Sequence, residues 1–267
     1  MRFERRPSPA SGPRSRPHIL LFPLAPEPTT VHRVSPSFDE LRVNLSAIRG
    51  RIADACERSE REPAGVRLVA AAKSVAPETI AWARDAGVQE VGENYVRELA
   101  RKRPAIEGVT WHFIGALQSR SAPSVAELAD VVQTIVPGRA LRRLAGRAEE
   151  LGRTIPVLIE VDLTGERIGV SPEELPHVAD EVAETPGLEL TGLMTLPPIP
   201  SAAEDSRPHF RRLRELQGRV AERHPKAVEL SMGMSLDYEV AVEEGATIIR
   251  IGTALFGARV ADDRGRT

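Results

Sequence analysis

Residues 228–252 read VELSMGMSLDYEVAVEEGATIIRIG. Two short runs, VELSMG (228–233) and TIIRIG (247–252), enclose SLDYEVAVEEG, a helical stretch that stops at Gly245. Short strands that are apolar throughout and joined by a helix belong to a parallel sheet covered on both faces. Working outward from this unit, the same alternation recurs. RLVAAA (67–72), QEVG (89–92), TWHFIG (110–115), DVVQTI (130–135), IPVLIEVD (155–162) and LELTGLMTL (188–196) are six further strand candidates. Helical stretches lie between them: PETIAWARDAG, NYVRELARKR, GRALRRLAGRAEELG, SPEELPHVADEVAE and EDSRPHFRRLRELQGRVAERH. In the first, Pro77 suits the opening helical position and Gly87 the stop. Eight such units predict an α/β fold, a single closed (β/α)8 TIM barrel. The rival, a doubly wound open sheet, calls for a glycine-rich phosphate turn after its first strand, and neither GxGxxG nor GxxxxGK[ST] occurs there.

The remainder of the chain bounds the function. Residues 1–36 hold eight prolines and six arginines against two acids and show no period, which predicts a disordered Pro/Arg-rich extension. Its apolar piece HILLFPLAP is broken by proline and does not read as a secretory signal. From Ser37 the pattern changes: Phe38, Leu41, Leu45, Ile48, Ile52 and Ala55 form the stripe of an N-terminal amphipathic helix. The expected domain is thus a barrel over 37–260 with a polar tail at 261–267. A net charge of −2, from 36 basic and 38 acidic residues, gives no global field for nucleic acid or an anionic membrane. No apolar run reaches the roughly 20 residues of a spanning helix. The basic run RRLRELQGR reads as a solvated face. One cysteine, Cys56, allows no internal disulfide and fits a reducing compartment, so a cytoplasmic location is expected. The histidines are scattered without metal-ligand spacing, and His112 reads as a hydrogen-bonded residue lining the barrel.

Of the 36 basic residues, 33 are Arg and three are Lys: Lys73, Lys102 and Lys226. Where a permanent cation suffices this chain uses Arg, so a surviving Lys marks a place where an amine that can lose its proton is of use. Lys102 and Lys226 sit in polar strings and are expected to be solvated. Lys73 ends the apolar run LVAAAK, at the C-terminal rim of the first strand where barrels collect their chemistry. A lysine against an apolar wall is poorly solvated, which favours the neutral, nucleophilic amine. On the same rim, the loops after strands seven and eight (Ser231-Met232-Gly233-Met234-Ser235 and Arg250-Ile251-Gly252-Thr253) offer backbone N–H groups and hydroxyls to an anion. An amine and a phosphate site together call for a phosphorylated aldehyde or ketone: a sugar phosphate, as in a Schiff-base aldolase, or pyridoxal 5'-phosphate (PLP). Arg250, in an otherwise apolar strand, needs an acceptor. That acceptor is either a neighbouring carboxylate or the pyridine nitrogen of PLP, a contact made by Asp or Arg in cofactor sites.

Several motifs then match a known family. LVAAAKS (68–74), GENYVRE (92–98), WHFIGALQS (111–119), TGLMTL (191–196) and LSMGMSLDYEVAVEEGATIIRIGTALFG (230–257) resemble, in order and over about residues 37–258, the YggS/PROSC group of PLP homeostasis proteins. Their fold is like the N-terminal barrel of alanine racemase. The resemblance implies that Lys73 holds PLP as an internal aldimine and that Asn94 lies at the cofactor's ring face or hydroxyl side. It further implies that Ser231, the backbone through Met232, Gly252 and Thr253 cradle the phosphate, that Arg250 faces the pyridine nitrogen, and that Met194 lines the cavity. Asn94 as a helix cap and Met194 as a core residue remain the alternatives. Ala116 stands where the family usually has His, Arg120-Ser121 replaces Asn-Lys, and Ser-Val-Ala-Pro after Lys73 replaces Thr-Lys-Pro, removing a second lysine near the cofactor.

The same resemblance bears on turnover. A racemase sets a tyrosine from a C-terminal β domain against its cofactor lysine, and no such domain follows Gly257 in this sequence. Tyr95 and Tyr238 are the only tyrosines and are read as helix-packing residues. An Arg at the pyridine nitrogen weakens the ring as an electron sink. The expectation is a PLP-binding protein in cofactor buffering, storage or delivery, without efficient catalysis, with an amino-acid racemase and a Schiff-base aldolase as alternatives. PLP-dependent apoenzymes are the partners that delivery would imply, and a monomer is expected.

Overall fold

The computed structural model describes residues 36–258. The expectations for residues 1–35 and 259–267, including most of the N-terminal extension and the C-terminal tail, lie outside the described residues. Eight parallel strands close a barrel in sequence order: β1 (Arg67–Ala71), β2 (Glu90–Glu93), β3 (Thr110–Phe113), β4 (Val131–Ile135), β5 (Ile155–Glu160), β6 (Leu188–Met194), β7 (Glu229–Ser231) and β8 (Ile248–Ile251), with β8 pairing back onto β1. Seven fall within the runs expected for them, and β2 runs one residue past its expected end, to Glu93.

Helices cover the outside. Among the described residues they are α1 (Phe38–Arg58), α2 (Pro77–Asp85), α3 (Val96–Lys102), α4 (Ala122–Leu128), α5 (Arg139–Glu150), α6 (Leu175–Glu184), α7 (Arg207–Arg223), α8 (Tyr238–Glu243) and α9 (Thr253–Phe256). None is long and apolar enough to cross a membrane. Helix α1 begins in a capping box, Ser37 with Glu40, which satisfies N–H groups the first turn leaves unpaired. It buries Leu41, Leu45, Ile48, Ile52 and Ala55 of the expected stripe, against α2, α8 and α9, whereas Phe38, in the first turn, is exposed. Pro77 opens α2, and Gly87 follows it at φ 104°. Helix α4 was not expected: it is seven residues long, with Pro123 in its first turn, too short for its buried Ala122, Val125 and Ala126 to register as a period.

Most apolar burial lies between sheet and helices. Leu141, Leu144, Ala145 and Ala148 of α5, for example, all face inward, and fully burying each leucine is worth about 1.5–3 kcal/mol. A second, smaller cluster of Val69, Leu158, Met194 and Ile248 fills part of the barrel interior. The rest of the interior is polar, and there the fold departs from an ordinary packed barrel core.

Candidate functional site

The interior of the barrel carries a line of buried polar side chains from β8 across to β2. Arg250 donates from Nη1 to Ser231 Oγ at 2.5 Å and from Nη2 to the Thr195 carbonyl at 2.9 Å. Ser231 Oγ donates to Gln133 Oε1 at 2.6 Å, and Gln133 Nε2 lies 2.8 Å from His112 Nδ1. His112 Nε2 is 3.0 Å from Glu90 Oε2, a close contact bent off the N–H direction. Arg250 can only donate and the Glu90 carboxylate can only accept. For a neutral imidazole, every group between them is therefore oriented in one sense, from guanidinium to carboxylate. Burial pushes the Glu90 carboxyl up, but His112 and Arg67 outweigh it and hold the group below its ordinary value. His112 is thus the hydrogen-bonded barrel residue expected of it.

No carboxylate lies within ion-pair distance of Arg250 among the described residues; its hydrogen bonds go to a hydroxyl and a carbonyl. Burial drives its pKa down to about 10, opposed by the more distant charges of Asp237 and Glu160. Glu160, half-buried at the end of β5, is raised to about 7 by burial, against the pull of Arg250 and Arg167. A buried cation held by neutral acceptors is costly unless something else draws on its charge.

Lys73 follows β1 at the C-terminal rim. Its amine makes no hydrogen bond or ion pair among the described residues and stands 4.9 Å from the centroid of the Tyr95 ring. The other two lysines are paired: Lys226 Nζ meets Glu189 at 2.5 Å, and Lys102 Nζ meets Glu93 and Glu98 at 2.5 and 2.6 Å. Lys226 is 79% exposed, as expected. Lys102 corrects the expectation of solvation: it is completely buried, because α3 turns this residue inward against β1 and β2, where two carboxylates receive it. Tyr95 is a further correction. It precedes α3, is 51% exposed and covers the Lys73 amine instead of packing a helix. Tyr238 is buried as a packing residue.

The loops after β7 and β8 meet. Ser235 Oγ accepts the Ala254 N–H at 3.1 Å, so it ties the loops together and does not cap α8, whose N-cap is Asp237. Asp237 takes the Met234 N–H at 2.7 Å. Gly233 has φ 88°, and a Cβ there would lie 2.5 Å from the Ala241 Cβ; only glycine accepts that turn without strain. Thr253 is exposed, with a hydroxyl that has no partner among the described residues, and Gly252 beside it lies where β8 leaves the sheet.

The remaining sequence candidates divide. Ser231 and Arg250 are in direct contact, so the Ser231 hydroxyl is committed to Arg250 and Gln133. Met232 is buried in the outer core and gives its N–H to Ile248 O at 3.1 Å. Met194 is fully buried in the inner cluster, in register with Glu160 and Ser231. Asn94 does not cap α3, whose N-cap is Tyr95; its Nδ2 reaches the Ile114 carbonyl at 3.5 Å. Sequence reading missed Gln133, Glu160, Thr195 and the Glu93–Glu98–Lys102 cluster. Polar residues inside otherwise apolar strands, Gln133 and Glu160 among them, were the available signal.

Comparison with known proteins agrees with this architecture. Residues 43–260 match the family described as alanine racemase, N-terminal domain. A pyridoxal phosphate homeostasis protein of Aquifex aeolicus is 40% identical over 220 residues, covering 80% of this chain and 96% of its own length. The pyridoxal phosphate homeostasis protein of Escherichia coli K12 is 36% identical over 228 residues, covering 83% and 97%. Among solved structures, PipY of Synechococcus elongatus PCC7942, with PLP bound, superposes with TM-score 0.72 at 31% identity over 81% of this chain and 100% of its own. An alanine racemase of Clostridium difficile shares the fold at TM-score 0.67 and 17% identity, over 84% of this chain and 58% of its own. The chain therefore belongs to the family of pyridoxal phosphate homeostasis proteins, built on the alanine racemase N-terminal barrel.

Proposed function

We propose that this protein binds PLP as an imine on Lys73 and acts in cofactor homeostasis by buffering, storing or delivering it. The observation that carries the reading is the Lys73 amine itself, which among the described lysines has no carboxylate partner and stands at the mouth of the barrel. The chain's residues suit such a ligand. The uncompensated Arg250 offers a donor to a ring nitrogen, and Gly252 with the free Thr253 hydroxyl offers a cradle to a phosphate. Ser231 and Met232 serve through the frame they give that cradle, Met194 closes the wall beneath, and Asn94 stands on the β2 side of Lys73.

PLP when bound supplies a reactive aldehyde and an aromatic electron sink. Ser231 and Thr195 hold the Arg250 guanidinium in place; as a hydrogen-bond donor beside the ring nitrogen it would leave that nitrogen unprotonated, which would weaken the sink and favour storage over carbanion chemistry. Handing the cofactor to PLP-dependent apoenzymes, by a cytoplasmic monomer, completes the proposal.

The test is the absorbance spectrum of the purified protein after incubation with PLP, followed by borohydride reduction and peptide mass spectrometry. A band near the visible edge, a reduced adduct on the peptide containing Lys73, and loss of both in Lys73→Ala are expected. A colourless protein, or an adduct on Lys226 alone, rejects the reading. Solvent deuterium entering the alpha carbon of several amino acids at an enzymatic rate would replace it with a racemase.

A further inference from the structure

The burial of Lys102 answers a question that its place in a charged string leaves open. An ammonium has three N–H groups, and here three oxygens receive them: the Ala72 carbonyl at 2.9 Å, Glu93 Oε1 at 2.5 Å and Glu98 Oε2 at 2.6 Å. The planar fork of an arginine cannot serve acceptors that converge on one point, which explains a lysine in a chain that otherwise prefers Arg. Glu98 Oε2 also accepts the Ser74 N–H at 2.9 Å. Ser74 has φ 60°, a left-handed backbone that a residue other than glycine adopts only when its surroundings hold it there. The carbonyl before Lys73 and the amide after it are therefore both gripped by one ion cluster, and both grips pass through α3. Burial raises Glu93 to about 7 despite Lys102, and its Oε2 has no partner in the interior.

We propose that Glu98 and Lys102, with Glu93 behind them, are positioning residues for Lys73: they lock the backbone on either side of it and so fix the direction in which its amine leaves the barrel rim. The inference rests on reading Lys73 as the cofactor-holding lysine. A four-carbon stem on a loose backbone would spread the amine over many positions, and closing an imine would then cost the ordering of that segment as well. Tyr95, the residue before α3, covers the same amine, so one short helix supplies the backbone clamp and the ring above it.

The experiment compares Glu98→Ala with Glu98→Gln in the full-length protein. The amide oxygen of glutamine can still accept the Ser74 N–H, whereas alanine frees it. Glu98→Ala is expected to weaken PLP binding about ten-fold, equivalent to about 1.4 kcal/mol, and to shift the pH at which the bound chromophore titrates. Glu98→Gln is expected to recover most of both, with melting temperatures close to that of the unaltered chain. Equal losses in the two variants, or wild-type affinity and pH titration in Glu98→Ala, overturn the clamp. Hydrogen exchange of the Ser74 amide in the cofactor-free, unaltered protein gives a reading independent of any variant: protection supports the clamp, and exchange at the rate of an unstructured peptide overturns it. Failure of the unaltered chain to form an adduct at Lys73 instead strikes the underlying reading, so the two failures are distinct.

Discussion

Arg250→Met separates what the fold needs from what the ligand needs. The substitution removes two hydrogen bonds from a charged donor, to Ser231 Oγ and Thr195 O, each worth about 1.5–3 kcal/mol. It also removes a guanidinium that burial has driven down to about 10, and relieving that unfavourable charge returns about 3 kcal/mol. The two effects largely cancel. The cofactor-free variant should lose no more than about 3 kcal/mol of stability, which lowers Tm by up to about 10 °C for a chain of this size. Binding has no such compensation. Losing one charge-assisted contact to the ring should raise the Kd for PLP by about 10- to 150-fold. Thermal melts of the cofactor-free protein and absorbance titrations with PLP measure the two quantities separately. A variant that binds PLP within threefold of the unaltered chain would refute the placement of Arg250 against the ring. A variant that does not fold would refute the cancellation and make Arg250 a structural residue first.

Three further outcomes are expected. Gln133→Leu leaves Ser231 Oγ and His112 Nδ1 without their shared partner, so it should destabilise by about 2–4 kcal/mol in urea melts; an unchanged midpoint would mean the line from Arg250 to Glu90 contributes nothing. Gly233→Ala forces a left-handed backbone on a residue whose Cβ would stand 2.5 Å from the Ala241 Cβ, and a loss of about 2–4 kcal/mol in chemical denaturation is expected, with wild-type stability counting against the described turn. Glu160 carries a pKa of about 7 in the fold against an ordinary 4.5. The folded state therefore prefers the neutral acid, and its stability falls as pH rises from about 4.5 to 7. In cofactor-free protein Glu160→Gln should accordingly be stabilising by on the order of 2 kcal/mol at pH 8 and near neutral in effect at pH 4.5; equal effects at both pH values would contradict it.

The barrel was legible because each strand is a short apolar run and each helix between them has an inward stripe, as in Leu141, Leu144 and Ala148. Lys73 was legible for a different reason, a composition in which Lys is rare. What stayed hidden depends on where a side chain points after the chain closes. Lys102 lies among Arg101, Arg103 and Glu98, and linear context reads it as solvated; only the rotation of α3 turns it toward Glu93. Ser231 was visible as a small polar residue in the right loop, but its partner Gln133 is 98 residues away. The alternative reading of Asn94 as a helix cap fails in the same way, because local sequence cannot express the Ile114 backbone that it meets.

The hydroxyl of Ser235, by accepting the Ala254 N–H, makes the β7 and β8 loops one mechanical part. Residues recruited to one loop inherit the displacement of the other, so exchanging either segment alone for that of a relative should misplace both rims. A graft intended to retune which anion this barrel retains would have to transfer residues 231–237 and 250–254 together.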